Sequence, residues 1–444
     1  MDVAAWPRHY EHQLKYNHMT NIPPFFRLFS HPVVSKFLFS AILILFSNLA
    51  IALDYYWVNG SGNWSNYQSH WAIDSLGTAF HNNVPTAIDD VYFTNNGGIP
   101  YAVFVNASTT VPKCKNMDWS AVPNGTILNG SATGRLDIYG SLLLRVGLGI
   151  TFPGEAHFIA FGSASTITSK GIHFSGPVYF EGTTGGWMLN DAFYSDGNMF
   201  HTGGTLMTNH QTVTIYLNFT GTGGRLELGD SEFIGVAGNL YFRYVPINFD
   251  AGTSHVKLHS GGYIEGVYDA ATNTVFHDVT FTANTSNGFA YGNITGTLKF
   301  EGYGQLHGYQ LIAPAPVLNN VVFEKGATIY NAFDYNHLTL TAGETYTING
   351  LYTNYETSQT ILPGGALTAN AGGNCDNHIR IESWKFGFPV EFKNESGSDI
   401  TLTGLILQDI HSTGTNALTN EHGINLSNNA GWIFNDTCPN PNLY

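Results

Sequence analysis

The sequence predicts an all-β chain, a right-handed parallel β-helix (solenoid) with a Trp-rich N-terminal β-cap. Three observations carry that expectation. Only 11% of the 444 residues are charged, while glycine numbers 50 and aromatic residues make up 14%. Such a chain makes poor helices and suits many short strands joined by tight turns. A Val/Leu-x-Phe strand core recurs at Val91-Tyr92-Phe93, Val178-Tyr179-Phe180, Val279-Thr280-Phe281, Leu298-Lys299-Phe300, Val321-Val322-Phe323 and Val390-Glu391-Phe392. These pieces alternate in and out, with Gly, Asn or Asp after them, and spacings of about 20 residues fit one coil of a solenoid. One such coil cannot bury its own apolar face, whereas stacked coils share a continuous core. A series of antiparallel sandwiches is the rival fold.

The elements follow in chain order. Residues 1–52 read as an export signal with an N-terminal extension. Lys36 precedes an apolar run from Phe37 to Phe46, and Ala50-Ile51-Ala52 supplies small residues for cleavage after Ala52. Met19 is an alternative start. The run is short for a membrane span, so no stable membrane insertion is expected after cleavage; the competing reading is an uncleaved anchor. Residues 53–118 read as the cap and first strands. Trp57, Trp64 and Trp71 come at short intervals broken by glycines, which suits wide rings covering the end of a sheet. Residues 119–435 form the repeat domain. Within it Gly229-Asp230-Ser231-Glu232-Phe233 is echoed by Gly252-Thr253-Ser254-His255-Val256. Phe180-Glu181-Gly182-Thr183 is echoed by Phe219-Thr220-Gly221-Thr222. Asn425 to Phe434 reads as a last strand with Trp432 as lid, and residues 436–444 as a tail. Capping both ends matters because an open coil edge invites pairing with other chains.

The formal net charge of -15 argues against nucleic acid, whose binding needs basic patches, and against docking on anionic lipid. The cysteines, Cys114, Cys375 and Cys438, match no zinc or redox spacing. In an exported protein Cys375 and Cys438, the pair in one region, can form a disulfide; three buried thiols are the alternative.

The opening Tyr56-Trp57-Val58-x-Gly60-x-Gly62-x-Trp64, with His70-Trp71 and Asp89-Asp90-Val91-Tyr92-Phe93, resembles the start of large exported bacterial repeat proteins of the type IX secretion kind. Cys114-Lys115-Asn116-Met117-Asp118-Trp119, Gly185-Gly186-Trp187-Met188-Leu189 and the closing Asn429-Ala430-Gly431-Trp432-Ile433-Phe434 look similar too. The resemblance spans nearly all of residues 54–435. It implies a secreted or outer cell-surface β-helix with no assigned catalytic residues.

Catalytic constellations are sparse. Glycoside hydrolysis needs paired carboxylates. The Asp89-Asp90 pair sits at the cap, where turn amides are the expected partners. Asp191, Asp196, Glu227, Asp230 and Glu232 form the densest acidic stretch and read as a solvated face. His378-Ile379-Arg380-Ile381 reads as a strand with exposed polar residues, and His255 with His259 lies in a strand pattern. No calcium loop, phosphate loop or zinc spacing stands out, so no cofactor is expected. The aromatic surplus is the best binding signal: Tyr241, Tyr244, Tyr263 and Tyr268 are candidates for stacking on sugar rings, the alternative being rings inside the core or lids over turns. The expected role is a structural or adhesin-like surface protein without catalysis, whose partners are surface glycans or matrix polysaccharide. A polysaccharide-binding or polysaccharide-degrading β-helix is the alternative.

Overall fold

Strands of three or four residues and three-residue turns set the geometry of the coil. Gly186–Leu189, Phe193–Ser195 and Met199–His201 are successive strands joined by Asn190-Asp191-Ala192 and Asp196-Gly197-Asn198. After Thr202-Gly203-Gly204 the chain returns at Thr205–Met207, which lies parallel on Gly186–Leu189 with Trp187 opposite Leu206. The structure, a computed structural model, describes residues 51–162, 165–243, 248–267, 274–283, 287–308, 315–350, 357–372 and 375–438. Most of the expected export signal and of the tail lies outside them. The unit Leu53–Tyr444 is a parallel β-solenoid of about 14 turns.

Strand makes up 51% of the described residues and helix 2%, which settles the class; the direction of pairing settles the architecture. Among the described residues, antiparallel pairing is confined to Trp71–Ala72 on Asp54–Trp57 and the bridge from Ala72 to Phe80. Every other strand pair is parallel, so the sandwich alternative is removed. A ten-stranded first sheet runs from the cap to Phe249–Asp250, and a four-stranded second sheet accompanies its first coils. A fifteen-stranded third sheet runs from Lys113–Cys114 to Ile424–Ser427, and a thirteen-stranded fourth sheet starts at His173–Phe174. Where the first sheet ends, strands of the fourth lengthen: Gly292–Phe300, Val317–Phe323, Phe333–Leu340 and Gln359–Ala369. A small fifth sheet of Ile400–Thr403, Leu418–Glu421 and Trp432–Asn435 completes the last coils.

The core is a stack of inward rings. Phe158 and Phe180 lie face to face at 5.1 Å, and Phe281, Phe300 and Phe323 repeat this at 4.8 and 5.1 Å. Each fully buried ring contributes about 2–3 kcal/mol. Side-chain amides tie the turns from coil to coil. Asn198 Oδ1 accepts from the Asn218 amide N–H, Asn218 Oδ1 from that of Asn239, and Asn239 Oδ1 from that of Tyr263. Gly176 is required sterically, because a Cβ there would collide with the carbonyl of Gly154 in the preceding coil.

The cap follows from the same packing. Trp57, Trp64 and Trp71 are at most 2% exposed, and Trp71 meets Trp57 and Trp64 edge-on, each at 4.9 Å. Phe93 carries the stack into the solenoid, lying flat on Trp119 at 3.5 Å. Asp89 accepts from the N–H groups of Leu53 and Thr86, and Asp90 from the N–H of Asn116, so both carboxylates bind turn amides. At the far end Trp432 is buried on the last strand, and Cys375 is disulfide-bonded to Cys438. Cys114 is a buried free thiol.

Among the polar inward positions is an imidazole. His201 stands in register with Phe180 and Gly221, fully buried, its ring held by the backbone of Gly203 and Gly204. Burial pushes it down to about 4, against about 6.5 in an unfolded chain. As pH falls through 6.5 the unfolded chain binds a proton that the fold refuses until about 4. Stability therefore drops across that window, by about 3 kcal/mol in all. We expect the unfolding midpoint to fall between pH 6.5 and 4, and His201→Leu to flatten that slope; an unchanged slope contradicts the assignment.

Candidate functional site

Alternation along each strand turns every second side chain of the third sheet outward, and parallel register stacks these about 4.8 Å apart. The outer face is therefore a ribbon whose chemistry changes along its length.

Near its start lies a charged cluster. His157 is 3% exposed, with Nε2 3.0 Å from Glu155 Oε2 and Nδ1 3.0 Å from Glu181 Oε2. Tyr179 stacks flat on its ring at 4.3 Å, and Phe200 on Tyr179 at 4.7 Å. Arg135 Nε donates to Asp137 Oδ1 at 2.6 Å, with Nη2 3.8 Å from Glu181. Both imidazole nitrogens and the flanking carboxylates thus satisfy one another beneath a lid of rings.

Two strands beyond Phe200, Tyr241 faces outward with the Arg243 guanidinium 4.3 Å from its ring centroid. Arg243 also donates to Glu265 at 3.0 Å. This tyrosine is covered on one side by the cation that follows its own strand.

Further along comes an uncharged patch. Tyr263 is 38% exposed, and its ring lies over Gly288, where any Cβ would collide with it. Its hydroxyl donates to Gln305 Oε1 at 2.8 Å, reaching across two coils. His307 lies 5.7 Å from the Tyr263 ring and stacks on Tyr330 at 4.4 Å. Tyr303, also 38% exposed, shares a hydrogen bond with Thr328 at 2.6 Å. Burial lowers the His307 pKa and raises that of Tyr330. At neutral pH the patch therefore presents aromatic faces, an amide, a neutral imidazole and hydroxyls. That set can stack on a sugar ring and exchange hydrogen bonds with its hydroxyls.

Of the four tyrosines proposed from sequence, Tyr241 and Tyr263 occupy adjacent strands of this face, while Tyr244 and Tyr268 lie outside the described residues. The acidic stretch does not converge. Glu227 pairs with Arg225 on the first sheet and Glu232 with Lys257 on the fourth. Asp230 meets His210, Asp196 meets His173, and Asp191 accepts from the N–H groups of Ser169 and Lys170. His255 and His259 bond Thr280 and Thr282 of the next coil. Arg380 bonds Glu382 and Gln408, while His378 precedes the strand Ile379–Ser383. Among the described residues no group of three or more His, Cys, Asp or Glu could hold a metal ion.

Sequence reasoning missed Tyr303, Gln305, His307 and Tyr330, which join Tyr263 only through coil register. It also missed the turn that exposes Trp384, Phe386 and Phe388, where the Lys385 ammonium sits 3.7 Å from the Phe388 ring centroid. No family model, curated protein or solved structure matches this chain.

Proposed function

We propose that this protein is an exported, surface-located structural or adhesin-like solenoid that attaches to polysaccharide through the outer face of its third sheet and has no catalysis of its own. The patch around Tyr263 carries the reading, because it joins exposed aromatic faces to uncharged hydrogen-bonding groups on a flat, rigid sheet. The Cys375–Cys438 disulfide supports export, since such bonds persist in oxidising compartments. Together with Lys36, the apolar run and Ala50-Ile51-Ala52, it favours a secreted or outer-surface location, and the type IX route is the one the sequence motifs suggest.

A polysaccharide-degrading reading has one observation in its favour: Glu155 and Glu181, from adjacent coils, flank one imidazole. Against it, His157 is buried beneath Tyr179 and its nitrogens are both engaged, so no substrate atom reaches it without displacing that lid.

The test is affinity gel electrophoresis in neutral and uronate-rich polysaccharides. Retardation by at least one polymer is expected. The double variant Tyr263→Ala/Tyr330→Ala should weaken it about tenfold or more, since each ring stack is worth roughly 1 kcal/mol. Unchanged retardation in that variant removes the patch from the account.

A further inference from the structure

A second uncharged recess lies at the N-terminal cap, away from the third-sheet patch. It has a volume of about 510 Å³, within the range of small-molecule sites. Its walls come from the turn after Gly62–Asn63, the loop containing Asn82 and Asn83, and the segment following Ala102–Val105. Tyr67 and Phe104 supply aromatic surface, and the buried Trp64 lies beneath it.

Its polar groups are only partly used by the fold. Asn106 Nδ2 donates to Asn63 Oδ1 at 2.8 Å, and Asn83 Oδ1 accepts from the Tyr55 hydroxyl at 3.0 Å. Those bonds fix both side chains yet leave Asn63 Nδ2, Asn106 Oδ1 and Asn83 Nδ2 without partners among the described residues. The whole Asn82 side-chain amide and the hydroxyls of Ser65, Tyr67 and Thr110 are likewise unclaimed. No Asp, Glu, Lys, Arg or His lines the recess.

Charge separates it from the recess lined by Arg225 and Asp250. The recess beside Tyr56 and Tyr92 is also uncharged, and what sets the cap recess apart from it is the cluster of free side-chain amides just named. An anion would find no cation at the cap recess, and a cation no carboxylate. A ligand rich in hydroxyls, with flat apolar ring faces and no charge, matches both the free amides and the aromatic surface.

We infer that the cap recess binds an uncharged saccharide, giving the solenoid a second glycan contact beside the third-sheet patch. The inference rests on the polysaccharide reading for its ligand class alone; its residues are different. In use, the two contacts would engage one polymer at two points and raise avidity.

The experiment titrates the full protein with cellohexaose, laminarihexaose, mannohexaose and xylohexaose by calorimetry, with trigalacturonate as the charged control. At least one uncharged hexasaccharide should bind, with an affinity unchanged between low and high salt because no ion pair contributes. The variant Tyr67→Phe/Asn82→Ala should lower that affinity at least tenfold at an unchanged melting temperature. The variant Tyr263→Ala/Tyr330→Ala should remove only the third-sheet component of the binding and leave the recess component intact. Absence of binding by all four at millimolar concentration overturns the inference. So does binding that the recess variant leaves untouched and the third-sheet variant abolishes, an outcome that keeps the proposed function standing. Loss of polysaccharide retardation in the gel with recess binding intact would instead remove the third-sheet patch and spare the recess.

Discussion

Replacing Trp71 with Ala should destabilise the cap by about 3–5 kcal/mol, the range for removing a large buried ring. Trp71 is fully buried between Trp57, Trp64 and Phe93, and its indole N–H donates to the carbonyl of Trp64 at 2.8 Å. The substitution removes the ring contacts and strands that carbonyl. It also loosens Trp71–Ala72, the antiparallel strand that covers the edge of Asp54–Trp57. Coils couple mainly to their neighbours, so the loss should be local. Hydrogen exchange should quicken in residues 54–93 and leave the coils beyond Phe180 protected. Light scattering should rise, because an uncovered parallel edge pairs with other molecules. Unchanged exchange in the first coils would show that the tryptophan cluster does not seal this end.

Reducing the Cys375–Cys438 bond should have the second largest effect. The bond closes a loop of 63 residues, and chain entropy assigns such a closure about 4 kcal/mol. It ties the segment after the last strand back to the stretch before Ile379–Ser383, enclosing the fifth sheet. Thiol reductant, or Cys375→Ser, should therefore lower the unfolding midpoint of the C-terminal coils while the cap holds. Native-state alkylation provides a control. Cys114 should not react, because burial and the nearby Asp90, Asp137 and Asp89 raise its thiol pKa well above the ordinary value. Equal midpoints for oxidised and reduced protein would contradict the bond's role.

The strand motif could be read from sequence because alternation is local, whereas the face each copy occupies could not. Val279-Thr280-Phe281, Leu298-Lys299-Phe300 and Val321-Val322-Phe323 do stack in register on the fourth sheet. Glu232-Phe233 likewise stands on His255-Val256, as the echoed motif suggests. Yet Val178-Tyr179-Phe180 belongs to the third sheet and Val91-Tyr92-Phe93 to the first. The echo of Phe180-Glu181 in Phe219-Thr220 is displaced by two positions, since Phe219 continues the row of Val178 and Met199 while Phe180 leads through His201 to Gly221. Turn lengths set that register, and they vary from coil to coil. The same obstacle hid the patch: Tyr263 and Gln305 are 42 residues apart and meet because a tyrosine ring can lie across Gly288. Trp57, Trp64 and Trp71 were legible because their spacing is short and nothing else in that stretch can bury three indoles.

The central claim is attachment without turnover, and one incubation tests it. Purified protein is mixed with uronate-rich and neutral polysaccharides, with and without calcium. Bound polymer is recovered, and the supernatant is assayed for new reducing ends and unsaturated products. The account predicts that polymer is retained, that no product accumulates, and that Tyr263→Ala/Tyr330→Ala weakens the retention. Product formation that disappears in Glu181→Gln, or in Asp230→Asn or Glu232→Gln, would contradict the account and make the protein a polysaccharide-degrading enzyme.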